Sequence, residues 1–183
     1  SQKGLSTFGV AVAAGMAAAA AAVAAAAYQI AGSIKSAIDS ADEMNKMSQS
    51  TGIAVEELSK LKYAAELADV SSEALGKSMG KLSKALVQAG SDASSQAGRA
   101  FAAMGVEVQN QDGTLRGSAD VLKDLADKFA NYKDGAEKTA LAIALFGKAG
   151  AAMIPLLNLG RDGLEEAADE AERYGLVLDK KTT

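Results

Sequence analysis

The stretch Asp134–Gly160, DGAEKTALAIALFGKAGAAMIPLLNLG, constrains the fold more than any other part of this chain. Asp134 followed three residues later by Glu137 is a helix-start signature, in which the aspartate accepts from a free backbone N–H and the glutamate reaches back to the cap. Ala140, Leu141, Ala144 and Leu145 recur at helical spacing. Gly147 is placed to stop that helix, because glycine alone takes a left-handed cap cheaply. A second apolar turn, Ala151 to Ile154, runs into Pro155, the only proline. Ile154, Leu156, Leu157 and Leu159 must then be buried, which an isolated short helix cannot do. The segment is a helix–break–helix unit that has to pack against neighbours.

Upstream, Ile34, Ile38, Ala41 and Met44 form a stripe that carries a first helix to about Ser48, and Gly52 breaks it. Val55, Leu58, Leu61 and Ala65 mark a second helix. Ser71 is a cap for a third, with Leu75, Met79, Leu82 and Leu86 on one face. Gly90 to Ser95 is a polar linker, and a fourth helix carries Phe101 and Met104 to Gly105. Val106 to Arg116 is the one strand-like region, with Asp112-Gly113 as its hairpin signal. Ser118 caps a helix bearing Val121, Leu122, Leu125 and Phe129. Asp162, with Glu165, starts the last helix; Gly175 ends it, and Leu176 and Leu178 begin an extended segment. The fold class expected is all-α: a long alanine-rich N-terminal helix, then helical hairpins with one small β-hairpin. Two regions are expected, 1–48 and 49–183.

Between Lys3 and Lys35 there is no charged residue. The run is long enough to span a bilayer, which needs roughly 20 apolar residues. Alanine is nearly neutral for insertion, however, so the signal is weaker than a leucine run would give. A helix packed in an oligomer is preferred, since small residues allow close backbone approach. A segment that contacts a membrane at some stage is the second reading, and Val10, Val12, Met16, Val23, Tyr28 and Ile30 are its contact residues. A signal peptide fits poorly, because the run is too long and has no clear end.

Aromatic residues make up 4 % of the chain and alanine supplies much of its apolar content. Helices form easily from such a composition, but large side chains for a thick core are few. Leu75, Met79, Leu82, Phe101, Phe129, Phe146, Ile154 and Leu157 are the expected packing residues. Cysteine and histidine are absent, which excludes disulfides, thiolate ligands, imidazole bases and a Ser-His-Asp triad. Net charge is −4 without a basic cluster, so the footprint of a sequence-specific nucleic-acid binder is missing.

Four blocks, in order, resemble the tape measure proteins of long-tailed bacteriophages: Ser50–Leu86, Ala100–Asn131, Asp134–Gly160 and Gly163–Asp179. The order of four blocks is far more specific than any one of them. Two positions depart from the family's pattern: Ala54 stands where a capping hydroxyl is expected, and Ala152 where a carboxylate is expected. The resemblance implies a structural protein, cut from a longer chain, that lies in several copies along the tail-tube lumen and sets tail length. It implies no catalytic residue, cofactor or metal. Its implied partners are further copies of itself (a homo-oligomer such as a trimer), the tail tube protein, the tail tip or baseplate hub proteins and the tail assembly chaperones. On ejection ahead of the DNA, the host membrane is added, with Gly4–Ile34 as the contact segment. Virion and host envelope are then the locations.

Other chemistry reads weakly. Leu75-Gly76-Lys77-Ser78 ends like a phosphate loop, but Ser71 stands where the first glycine belongs and a helix precedes it. Asn110 and Asp112-Gly113 lack the alternating acids and terminal glutamate of a calcium loop. Glu56/Glu57 and Glu165/Glu166 are neighbours on helices, so each pair diverges by about 100° and cannot face across a cleft. First-turn capping and solvation explain them. Lys60, Lys62, Lys77, Lys81 and Lys84 give a modest basic surface whose partner, if any, is an acidic tube lining or chaperone. A membrane-active pore-forming helical protein and a small glutamate-dependent muramidase remain as alternatives.

Overall fold

The computed structural model describes residues 40–178. The chain separates into two units, Ser1–Asp42 and Glu43–Thr183, six residues earlier than the boundary read at Ser48. The long N-terminal helix, and with it Val10, Val12, Met16, Val23, Tyr28 and Ile30, lies outside the described residues.

Within the second unit, α1 occupies 43–51 and is followed by α2 (Val55–Leu67), α3 (Ser72–Ser91), α4 (Gln96–Met104), α5 (Ser118–Asn131) and α6 (Ala136–Phe146). A 3-10 turn (Lys148–Met153), α7 (Ile154–Leu157) and α8 (Gly160–Arg173) complete it. The central element is α3, which packs against α2, α4, α5, α6 and the 3-10 turn, while α8 closes over α2 and α5. Leu75, Met79 and Leu82 on α3, Phe129 on α5 and Phe146 on α6 are fully buried, and Phe101 on α4 nearly so. Phe129 lies 6.4 Å from Phe146, ring to ring. Burying each such side chain contributes about 1.5–3 kcal/mol, which outweighs the roughly 1 kcal/mol that each of Gly76, Gly80 and Gly90 costs inside α3.

Helix ends follow a shared device. After α2, α4 and α8 an N–H two or three residues past the helix reaches back five positions: Val70 to Ala65, Val106 to Phe101, Leu176 to Ala171. The residue before it is left-handed each time, Gly105 (φ 68°), Gly175 (φ 69°) and, unusually, Asp69 (φ 58°). Ser71 caps α3 by accepting from the Ala74 N–H (3.1 Å), as its sequence position predicts, and Ser95 does the same for α4 from Gly98 (3.0 Å). Ala54 heads α2 with no side-chain cap.

Several expectations are corrected. No strand occurs among the described residues; Val106–Arg116 is a loop with one bridge, Gln109 to Leu115. Its tip is closed by Asp112, whose Oδ1 accepts from the Thr114 N–H (3.0 Å) and hydroxyl (2.6 Å). The Glu107 carbonyl accepts from the Arg116 guanidinium (2.9 Å). The linker read at Gly90 is still helix to Ser91. Ser118 is the first residue of α5 rather than its cap; Gly117 is the cap. Ser83 Oγ donates to the Thr51 carbonyl (2.7 Å), so its 2.8 Å contact with Ser118 Oγ has Ser118 as donor. Likewise Gly135, not Asp134, precedes α6, and α8 starts at Gly160, which puts Asp162 inside its first turn. Ile154 is only partly buried and Leu159 is exposed, whereas Leu156 and Leu157 are fully buried.

The face of α6 is also rotated from its sequence reading. Lys138, Ala142, Leu145 and Phe146 are inside; Ala140 is exposed, and Leu141 and Ala144 only half-buried. An alanine-rich helix is apolar on most sides, so periodicity alone does not choose its inner face. The large ring of Phe146 and the contacts of Lys138 choose it. Gly147 ends α6 with φ 76° and ψ −164°, a positive-φ conformation different from the usual left-handed cap. Three residues on, a Cβ at Gly150 would lie 2.3 Å from the Ala142 carbonyl oxygen. The break in the helix–break–helix unit is therefore as tight as backbones allow.

Candidate functional site

Two features of the folded unit stand out, one internal and one on the surface. Internally, Lys138 is 2 % exposed. Its ammonium donates to the Tyr132 carbonyl (3.0 Å), Asp134 Oδ1 (2.9 Å) and Asn158 Oδ1 (2.5 Å), which uses all three of its protons. The bonds tie the end of α5, the α5–α6 turn and the residue after α7 into one knot. The hydrogen bond and the charge of Lys138 hold the Asp134 carboxyl below its ordinary pKa. This is a structural clamp across the helix–break–helix unit. A second clamp centres on Asp124 in α5, which accepts from Arg116 in the loop (2.6 Å) and from Arg161 in α8. Burial pushes the Asp124 pKa up, but the hydrogen bonds and charges of the two guanidinium groups outweigh it and hold it low. Neither residue was singled out in the sequence. The available signal for Lys138 was its place on the Ala142–Leu145 line, where a charge must find partners.

On the surface, α3, the end of α6 and the start of the 3-10 turn enclose a groove of about 640 Å³. Gly76, Gly80, Ile143, Phe146, Gly147 and Ala149 line its apolar part; Lys77, Lys81, Lys84 and Lys148 rim it, with Ser50 at one side. Ile143 is 44 % exposed. Lys77 pairs with Glu73 one turn back (2.6 Å), whereas Lys81, Lys84 and Lys148 make no ion pair among the described residues. The groove's lining holds no acidic residue.

This divides the basic surface read from the sequence. Lys60 bonds Glu172 of α8 (2.7 Å), and Lys62 bonds Glu43 (3.1 Å). Both serve the fold. Lys77, Lys81 and Lys84 belong to the groove, and Lys148, a residue the sequence did not mark, joins them from the opposite wall. Leu75-Gly76-Lys77-Ser78 lies wholly inside α3, with Ser78 fully buried. Glu56 and Glu57 sit in the first turn of α2; Glu165 and Glu166 lie one turn into α8, exposed to solvent. No group of acidic residues that could hold a metal ion, and no helix long and apolar enough to cross a membrane, occurs among the described residues.

Comparison with protein-family models, with curated proteins and with solved structures finds no match. The described residues form an all-α unit with a lysine-rimmed apolar groove.

Proposed function

We propose that this chain is the helical part of a phage tail tape measure protein: a structural ruler and assembly scaffold in the tail-tube lumen, ejected ahead of the DNA. The observation that carries the reading is the resemblance of four ordered blocks between Ser50 and Asp179 to that family. The fold is compatible with it: the blocks fall on α2–α3, α4–α5, α6–α7 and α8, so they make one folded unit and no block is left unattached. A ruler acts through length and contacts and requires no catalytic step. Contact with the host membrane is assigned to the charge-free run Gly4–Ile34. That same run is what favours the second reading, a membrane-active helical protein.

Inactivation of the gene in its phage is the test. Loss of tail tubes, or tubes of uncontrolled length, is expected by electron microscopy. Tubes of normal, uniform length in its absence would overturn the reading.

A further inference from the structure

We propose that the groove between α3 and α6 is a docking site for an acidic amphipathic helix of a partner protein. The inference rests on the groove and stands apart from the tail reading. Three properties select this occupant. First, the walls are helices whose backbone groups are already bonded, and no strand edge is offered, so β-strand addition is unavailable. Second, the floor is apolar: Gly76 and Gly80 of α3 and Ile143, Phe146, Gly147 and Ala149 form it, and Ile143 is 44 % exposed. Of the three glycines of α3, Gly76 admits Met47, Gly90 admits Leu115, and only a Cβ at Gly80 would meet nothing within 4 Å. Gly80 leaves room for a backbone from outside. Third, the lysines are spread along the rim instead of converging on one point. Lys77 to Lys84 alone spans about 10 Å of helix. A single phosphate would be surrounded by converging donors; a spaced row of carboxylates matches a spaced row of ammonium groups. Nucleic acid fits less well, since the lining offers no arginine and no exposed aromatic face for stacking.

The 183-residue chain is titrated with a labelled amphipathic peptide of about 15 residues, long enough to hold a helix, with leucine and alanine on one face and glutamate on the other. The controls are the same peptide with lysine for glutamate, single-stranded DNA and anionic vesicles. The glutamate peptide is expected to bind about tenfold or more tightly than the lysine peptide and to shift the backbone amides of Gly80, Ile143, Gly147 and Ala149. The triple variant K81E/K84E/K148E should lose that preference. Gly80→Leu should weaken both peptides while keeping or raising the melting temperature, because it fills the groove and removes a helix glycine. Equal binding of the two peptides, amide shifts elsewhere, indifference to both variants, or tighter binding of DNA or vesicles than of the glutamate peptide would each overturn the proposal.

Discussion

Replacing Lys138 by methionine keeps most of the buried aliphatic stem and removes the ammonium. Three acceptors lose their donor. The Tyr132 carbonyl is half-buried, and an orphaned buried acceptor costs about 1–3 kcal/mol. Asn158 is an exposed residue whose Oδ1 can turn to water, and the Asp134 side chain is 75 % exposed, so both are readily resolvated and add little. In the other direction, methionine no longer requires a charge to be stripped of water, which returns part of the loss. The net expectation is a destabilisation of about 2 kcal/mol, equivalent to roughly 8 °C in Tm for a domain of this size. Urea unfolding should show the midpoint falling with an unchanged slope. Asp134→Asn, which removes only the exposed partner, should lower the urea midpoint by much less than Lys138→Met does. If Lys138→Met left stability equal or higher, the ammonium would not be a clamp, and the account of the helix–break–helix unit would fail.

Asp69 holds φ 58° at the end of α2, so Asp69→Gly should stabilise the fold by about 0.5–1 kcal/mol by chemical denaturation, since glycine takes that conformation without strain. Ser78 Oγ is buried with no hydrogen-bond partner among the described residues; Ser78→Ala should therefore raise stability by about 1 kcal/mol, and a loss would reveal a bond that the fold hides. Asp124 has its folded pKa lowered against burial by Arg116 and Arg161. Its contribution to stability is complete above the unfolded carboxylate value of about 3.9 and disappears as pH falls through the depressed folded value. Carboxyl-carbon NMR should find it ionising below the ordinary aspartate value, and Asp124→Asn should lower stability at neutral pH by about 1–3 kcal/mol and flatten the acid limb of the curve.

Helix existence was legible wherever large apolar side chains recur at helical spacing: Leu75, Met79, Leu82 and Leu86 mark α3, and Val121, Leu122, Leu125 and Phe129 mark α5. Caps were legible where a serine stands before such a run and has no other partner, as at Ser71. They were misread where the side chain had a better use elsewhere. Ser118 bonds Ser83, 35 residues away in the chain, and Asp134 bonds Lys138 one turn on instead of capping α6. The Asp112-Gly113 turn was real, but a turn signal says nothing about whether the flanking segments can build a ladder, and here they form a single bridge, Gln109 to Leu115. The groove was half legible. Three of its lysines were read as a basic surface, but Lys148 and Ile143 join them only through the packing of α6 and the 3-10 turn on α3.

The function proposed here is a length, and length can be measured. Folded, the unit Glu43–Leu178 is a body roughly 40 Å across; drawn out as a single helix it would extend roughly 200 Å. Phage carrying an in-frame deletion of that unit should make tails shorter by an amount within those limits, the lower value if it stays folded in the tube and the upper if it unrolls. Electron micrographs showing tails of unchanged length would contradict the ruler.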